Sequence, residues 1–349
     1  MKKLQNISFA DISRYRSEHM GIAMLIIILF HVALPRSDAF FGLRRIGNLG
    51  VDMFLFLSGV GLWFSWAKNA IAVNKQSFVK EWASFYKRRM IRVYPTWLVI
   101  ASLYYIPRYH GGWDLWTNSH RLADLFADIT INKGFWFYGH LTFWYIPAIM
   151  VLYIFAPPFM ELIRRYPIYK WLVLIFVLWP LAVQWVTPIH DSLSHLEIFF
   201  SRVPIFFLGI CMGDMVRNKR SVQGNSIWLI AIMFIMTLFI CVFLEQNLHG
   251  RFPLFIERLV YIPLTVTFII LLGLLFTKTP RWLNYSMAWV GAISLETYLI
   301  HSEFILWRVE QYHLGYWPTF LVTAAISLTL AWLLHKVMDR VTSLLTKVL

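Results

Sequence analysis

Charge is scarce in this chain: Asp, Glu, Lys and Arg make up 14% of 349 residues, against 59% apolar and 18% aromatic residues. That shortage excludes an ordinary water-soluble domain, which spends about a quarter of its residues on charged side chains. Cysteine is scarcer still. Cys211 and Cys241 both fall inside apolar runs, which excludes a disulfide framework and a zinc ligand set, so no metal is expected. Gly/Ser linkers, charged tails and low-complexity tracts are missing as well, and residues 1–349 therefore read as a single domain. The two halves show no repeat and no matched pair of interrupted helices, which weighs against an inverted-repeat transporter.

What the chain does have is long apolar runs. Crossing a bilayer takes about 20 mostly apolar residues, and ten such stretches can be read, centred near Ile27, Leu57, Ile100, Ile149, Val177, Phe206, Met233, Thr267, Leu295 and Thr329. Runs of this length are expected to be helices, because barrel strands alternate apolar and polar residues over shorter segments. The expected fold is all-α: a polytopic membrane bundle of about ten transmembrane helices in the cell membrane. No small-x-small cleavage pattern follows the first run, so the first helix is expected to be retained. Of the 32 basic residues, 22 lie on the side of the amino terminus and 10 on the other, which predicts that both termini are cytoplasmic. The net charge of +14 is thereby explained as topology, and no nucleic-acid partner is implied; the partner is the lipid bilayer. The polar insertion from Arg108 to His140, with Trp113, Trp116, Phe126, Trp136 and Phe137, reads as a segment lying at the outer interface. Lys68 to Arg89 reads as an amphipathic lead-in to the third span.

With this orientation, "MLIIILFHVAL" carries His31 to the outer end of the first span, and "GNLGVDMFLFLSGVG" places Asp52 at the outer start of the second. Ionisable groups in a membrane domain are costly unless they face the bundle interior or a wet cavity. A carboxylate bonded to one imidazole nitrogen would fix the tautomer and leave the other nitrogen as a base; the alternative is a solvated His and an Asp that only favours its helix dipole. Further groups reach the same depth: His140 and Trp144 in "GHLTFWYIPAIMVLY", Glu197 and Arg202 in "HLEIFFSRVP", and Glu296, Tyr298, His301 and Glu303 in "ISLETYLIHSEFI". The interfacial aromatic belt alone would account for the Trp and Tyr residues.

On the cytoplasmic side, "FYKRRMIRVYP" opens the third span with Lys87, Arg88, Arg89 and Arg92. Residues three or four apart share a helix face, and arginine forks match phosphate oxygens two at a time. Positive-inside bias would also place basic residues here.

These motifs together resemble the acyltransferase 3 family of integral-membrane O-acyltransferases, the cell-envelope glycan O-acetyltransferases. The matching elements, in family order, are "GIAMLIIILFH", "GVDMFLFLSGVGL", "RRMIRVYP", "FWYIPAIMVLYIFAP", "FFLGICMGD" and "ISLETYLIH". The resemblance implies a donor, acetyl-CoA or another acyl-CoA, held from the cytoplasm by Arg89 and Arg92 with Arg88. It implies an acceptor hydroxyl on an envelope glycan or a small molecule. His31 is implied as general base or acyl carrier, Asp52 as its orienting partner, and Trp144, His301, His140 and Glu197 as groups that shape the acceptor site. The family's usual arginine, eleven residues before this histidine, is replaced by Met20. Arg16, one turn earlier and only ~60° off that face, is the expected substitute. The competing expectation is a transporter or flippase that moves a glycan, lipid or anion unchanged. The stretch after the tenth run is short, so the soluble domain that some relatives append is not expected.

Overall fold

The computed structural model describes residues 6–69, 78–110 and 122–348 and is 84% helical. Trp113, Trp116 and the stretch 70–77 lie outside the described residues. The principal helices are α1 (Arg16–His31), α2 (Leu49–Asn69), α3 (Phe78–Tyr105), α4 (Tyr145–Arg165), α5 (Leu172–Trp185), α6 (Val203–Arg217), α7 (Ser226–Leu248), α8 (Leu254–Phe276), α9 (Arg281–Ala292), α10 (Ser294–Ile300) and α11 (Tyr316–Val348). Each of the ten run centres falls within one of them. The only strands described, Ile7–Ser8 and Ser221–Val222, form a two-residue antiparallel pair.

Among the described residues, six helices are long and apolar enough to cross a membrane: Phe41–Trp66, Tyr145–Arg165, Pro167–Trp185, Ser226–Leu248, Leu254–Phe276 and Tyr316–Lys347. A seventh is possible if Thr187–Phe200 and Val203–Arg217, bent by 42°, count as one span. The expected ten is therefore not reached by length and composition, for identifiable reasons. Helix α1 has 16 residues, or about 24 Å at 1.5 Å per residue, short of a ~30 Å hydrocarbon core. The first half of α3 carries the basic cluster, and the ninth run breaks at Ile293 and again at a π-helical turn, His301–Leu306.

Burial separates centre from periphery. Of the apolar stretch in Phe41–Trp66, 83% is buried, against 17% for Ser226–Leu248 and 22% for Tyr316–Lys347, so α2 is the axis of the bundle and α7 and α11 present apolar side chains outward. Small residues let backbones meet at the axis, as expected where lipid gives helices no hydrophobic reason to associate. A Cβ on Gly59 would lie 2.3 Å from the Phe206 carbonyl oxygen, and one on Gly209 2.3 Å from that of Phe56, which locks α2 onto α6. Gly21 and Gly291 do the same for α1 and α9, with hypothetical contacts of 2.0 and 1.9 Å to the Met287 and Ser17 carbonyl oxygens. His19 ties this region to α8: its ring nitrogens meet the carbonyls of Tyr15 at 2.6 Å and Ile269 at 2.9 Å.

Among the described residues, the start of α1 and the end of α11 lie at one end of the bundle. Arg16 at the start of α1 and Thr346 near the end of α11 line a common cavity. At the opposite end, the Tyr316 hydroxyl donates to the Leu29 carbonyl at 3.0 Å.

Candidate functional site

Two cavities enter the bundle from opposite ends. The larger, about 1020 Å³, is bounded by α1, α2, α3, α4, α10 and α11 and lies at the end where α1 begins and α11 ends. Five cationic side chains line it, Arg16, Lys87, Arg88, Arg89 and Arg92, against two carboxylates, Glu296 and Asp339. Helical spacing brings the α3 group together, as expected. The Arg89 guanidinium rests against the Phe85 and Tyr153 rings, 5.7 and 5.9 Å from their centroids, and its buried Nε has no hydrogen-bond partner among the described residues. Arg88 donates to the Ser84 hydroxyl. Arg16 Nε donates to the Leu57 carbonyl at 3.3 Å, and Met20 lines the same chamber. Arg16 thus stands beside Arg89 and Arg92, close enough for the three cations to repel one another. His335 closes the wall between the two acids, 3.0 Å from Glu296 and 3.4 Å from Asp339.

The second cavity, about 570 Å³, holds His31, Trp144, Glu197 and His301, together with Arg45, Asn48, His195, Arg258 and Glu303. Six of the residues singled out from the sequence therefore do converge: His31, Trp144, Glu197, Tyr298, His301 and Glu303. His31 Nδ1 lies 2.8 Å from the Ile27 carbonyl oxygen and 3.3 Å from His301 Nε2. His301 Nδ1 lies 3.1 and 2.8 Å from the Thr297 and Tyr298 carbonyls. Carbonyls only accept, so these contacts assign the tautomers. His301 carries its proton on Nδ1 and offers Nε2 as an acceptor; His31 carries its proton on Nδ1, shared between Ile27 and His301. His31 Nε2 is left as a free base in the chamber.

The expected pairing of His31 with Asp52 does not form. Asp52 is buried, and its Oδ1 faces Arg202 Nε at 3.4 Å. Depth along the helix was right, but the packing of α2 on α6 turns Asp52 toward α6. Arg202 completes a buried junction: it donates to Asn48 Oδ1 at 2.8 Å and to the Ile198 carbonyl at 3.1 Å, and lies 5.0 Å from the Trp144 ring centroid. Asp52 thus braces the wall that presents Trp144. His140 also departs from expectation. It is exposed and does not line the chamber, because left-handed Asn132 and Gly139 close the short helix Lys133–Tyr138 and fold His140 back, its N–H bonding the Gly134 carbonyl at 3.0 Å.

Other charges escaped the reading of the sequence. Arg45 pairs with Glu245 at 3.1 Å, and Glu257 and Arg258 lie close by, all buried or nearly so, with Arg45 and Arg258 lining the second chamber. The signal was present in "LFIERLVYIP", where adjacent charges interrupt an apolar helix.

Among the described residues, one side chain lines both cavities, Tyr298. The helical bundle thus has a cationic chamber at one end, an imidazole chamber at the other and Tyr298 common to both. The chain belongs to the Acyl_transf_3 family: the family model described as an acyltransferase domain matches residues 21–336, nearly its whole length. It is also similar to a Caenorhabditis elegans protein described as "Regulator of hypoxia-inducible factor 1", with 29% identity over 161 residues, covering 38% of this chain and 29% of that protein. The chain thus matches less than a third of that relative's length. No solved structure matches.

Proposed function

We propose that this membrane acyltransferase moves an acyl group, acetyl as the simplest case, from acyl-CoA in the cationic chamber to a hydroxyl in the histidine chamber. The observation that carries the reading is the pair of chambers entering from opposite ends and meeting at Tyr298. CoA suits the first chamber: cations outnumber acids, Arg89 Nε lacks a partner among the described residues, and an anion would relieve the repulsion among Arg16, Arg89 and Arg92. The basic-residue bias supports a cytoplasmic mouth for this chamber, where acyl-CoA is found. The acceptor reached from the other side is a glycan of the cell envelope or a small hydroxyl compound, for which Trp144 offers an apolar face and Glu197 a hydrogen-bond acceptor. His31 Nε2 takes the hydroxyl proton as the oxygen attacks the thioester carbon, and returns it to the departing thiolate. Holding both substrates in one bundle supplies the remainder through positioning.

The test uses purified full-length protein in lipid vesicles, with CoA binding by calorimetry and free-thiol release from acetyl-CoA as readouts. Arg92→Ala is expected to weaken CoA binding roughly tenfold or more while the protein remains folded. His31→Ala is expected to retain CoA binding and lose turnover. Unchanged CoA affinity in Arg92→Ala would reduce the arginines to topology signals.

A further inference from the structure

Resting on the acyl-transfer reading above, the geometry points to Tyr298 as the group that stabilises the reacting carbonyl. A thioester that starts in one chamber and an alcohol that starts in the other can react only where the two meet, and Tyr298 is the described residue common to both linings. It lies in the last turn of α10, immediately before the π-helical turn His301–Leu306, a distortion that recurs at functional sites. Its ring is 5.3 Å from that of Tyr145 and 5.9 Å from that of His301, which is itself 4.8 Å from the His31 ring. His31 and this phenol therefore belong to one continuous cluster.

The hydrogen bonding of the phenol fixes its role. Tyr298 Oη accepts the backbone N–H of Tyr145 at 3.3 Å. That bond occupies an oxygen lone pair and leaves the O–H proton unspent; no acceptor takes it among the described residues. The result is an anchored donor at the chamber boundary, with its side chain only 8% exposed. Such a preorganised donor in a site shielded from water is what an oxyanion requires. As the acceptor oxygen bonds the thioester carbon, the carbonyl π pair moves to oxygen, where the Tyr298 O–H donates to it without transferring its proton; the hydroxyl proton goes to His31 Nε2. Collapse restores the C=O bond and breaks C–S, and the thiolate recovers the proton from His31. The products are ester and CoA thiol, with no net proton uptake.

The experiment is Tyr298→Phe, which keeps the ring and removes only the oxygen, assayed in lipid vesicles with labelled acetyl-CoA and an extract of the producing cells' glycans and lipids as acceptor. The expected result is a fall in kcat of about 10²–10³-fold with donor KM and CoA affinity unchanged. A variant within about threefold of wild type overturns this assignment and leaves acyl transfer standing. A rise in donor KM or loss of CoA binding also overturns it, since Tyr298 would then be a packing element of the wall. Wild-type protein that transfers no acyl group to any component of the extract removes the underlying reading and this inference together.

Discussion

Substituting Asp52→Asn separates a charge that braces a wall from one that orients a base. Asp52 is 4% exposed and meets Arg202 at 3.4 Å; at an effective dielectric of about 20, Coulomb's law gives roughly 5 kcal/mol for that separation before desolvation. Removing one member of a buried pair costs about 3–5 kcal/mol, because the remaining charge is left uncompensated. Asp52→Asn should therefore lower the melting midpoint of the detergent-solubilised protein by several degrees. The double variant Asp52→Asn/Arg202→Gln should recover part of that loss, the signature of coupling in a double-mutant cycle. Turnover per folded molecule should stay within about tenfold, since His31 takes its orientation from the Ile27 carbonyl and His301. A collapse of kcat by three orders of magnitude in a protein of undiminished stability would refute this reasoning and return Asp52 to the imidazole.

His301→Phe keeps a ring against His31 but removes the Nε2 acceptor, and kcat at saturating donor should fall roughly five- to tenfold, the worth of about one hydrogen bond. Gly291→Val would drive a side chain into the Ser17 carbonyl, where even a Cβ sits at 1.9 Å; α1 and α9 must then separate, at a cost of about 1–3 kcal/mol or more, read as a lower melting midpoint. His140→Ala, at an exposed position outside the chamber, should leave transfer within twofold of wild type in the same vesicle assay.

Helix positions were legible because the length of an apolar run is a one-dimensional property, and so was the arginine cluster, whose members share a face of one helix. Arg16 was also legible, since helical geometry alone carries it to the chamber that Met20 lines. Failures arose where the answer depended on azimuth between helices. His31 and Asp52 share a depth, but Gly59 and Gly209 bring α2 against α6, and that contact faces Asp52 toward Arg202. His301 lines the expected chamber, but its direct contact with His31 was not legible, because nothing in "ISLETYLIHSEFI" announces the π-helical turn at this point. Length and composition stop short of the expected ten spans where a run is apolar but its helix is short, broken or loaded with charge.

The thin partition at Tyr298 also has an electrical meaning. Two chambers that share the aromatic residue Tyr298 would, under the proposed reaction, bring reagents from the two membrane faces within reach of each other. A potential of 100 mV is worth about 2.3 kcal/mol for a unit charge crossing the whole bilayer. Under the proposed reaction the acyl group that passes between the chambers is uncharged, so the rate should be the same in energised and depolarised vesicles.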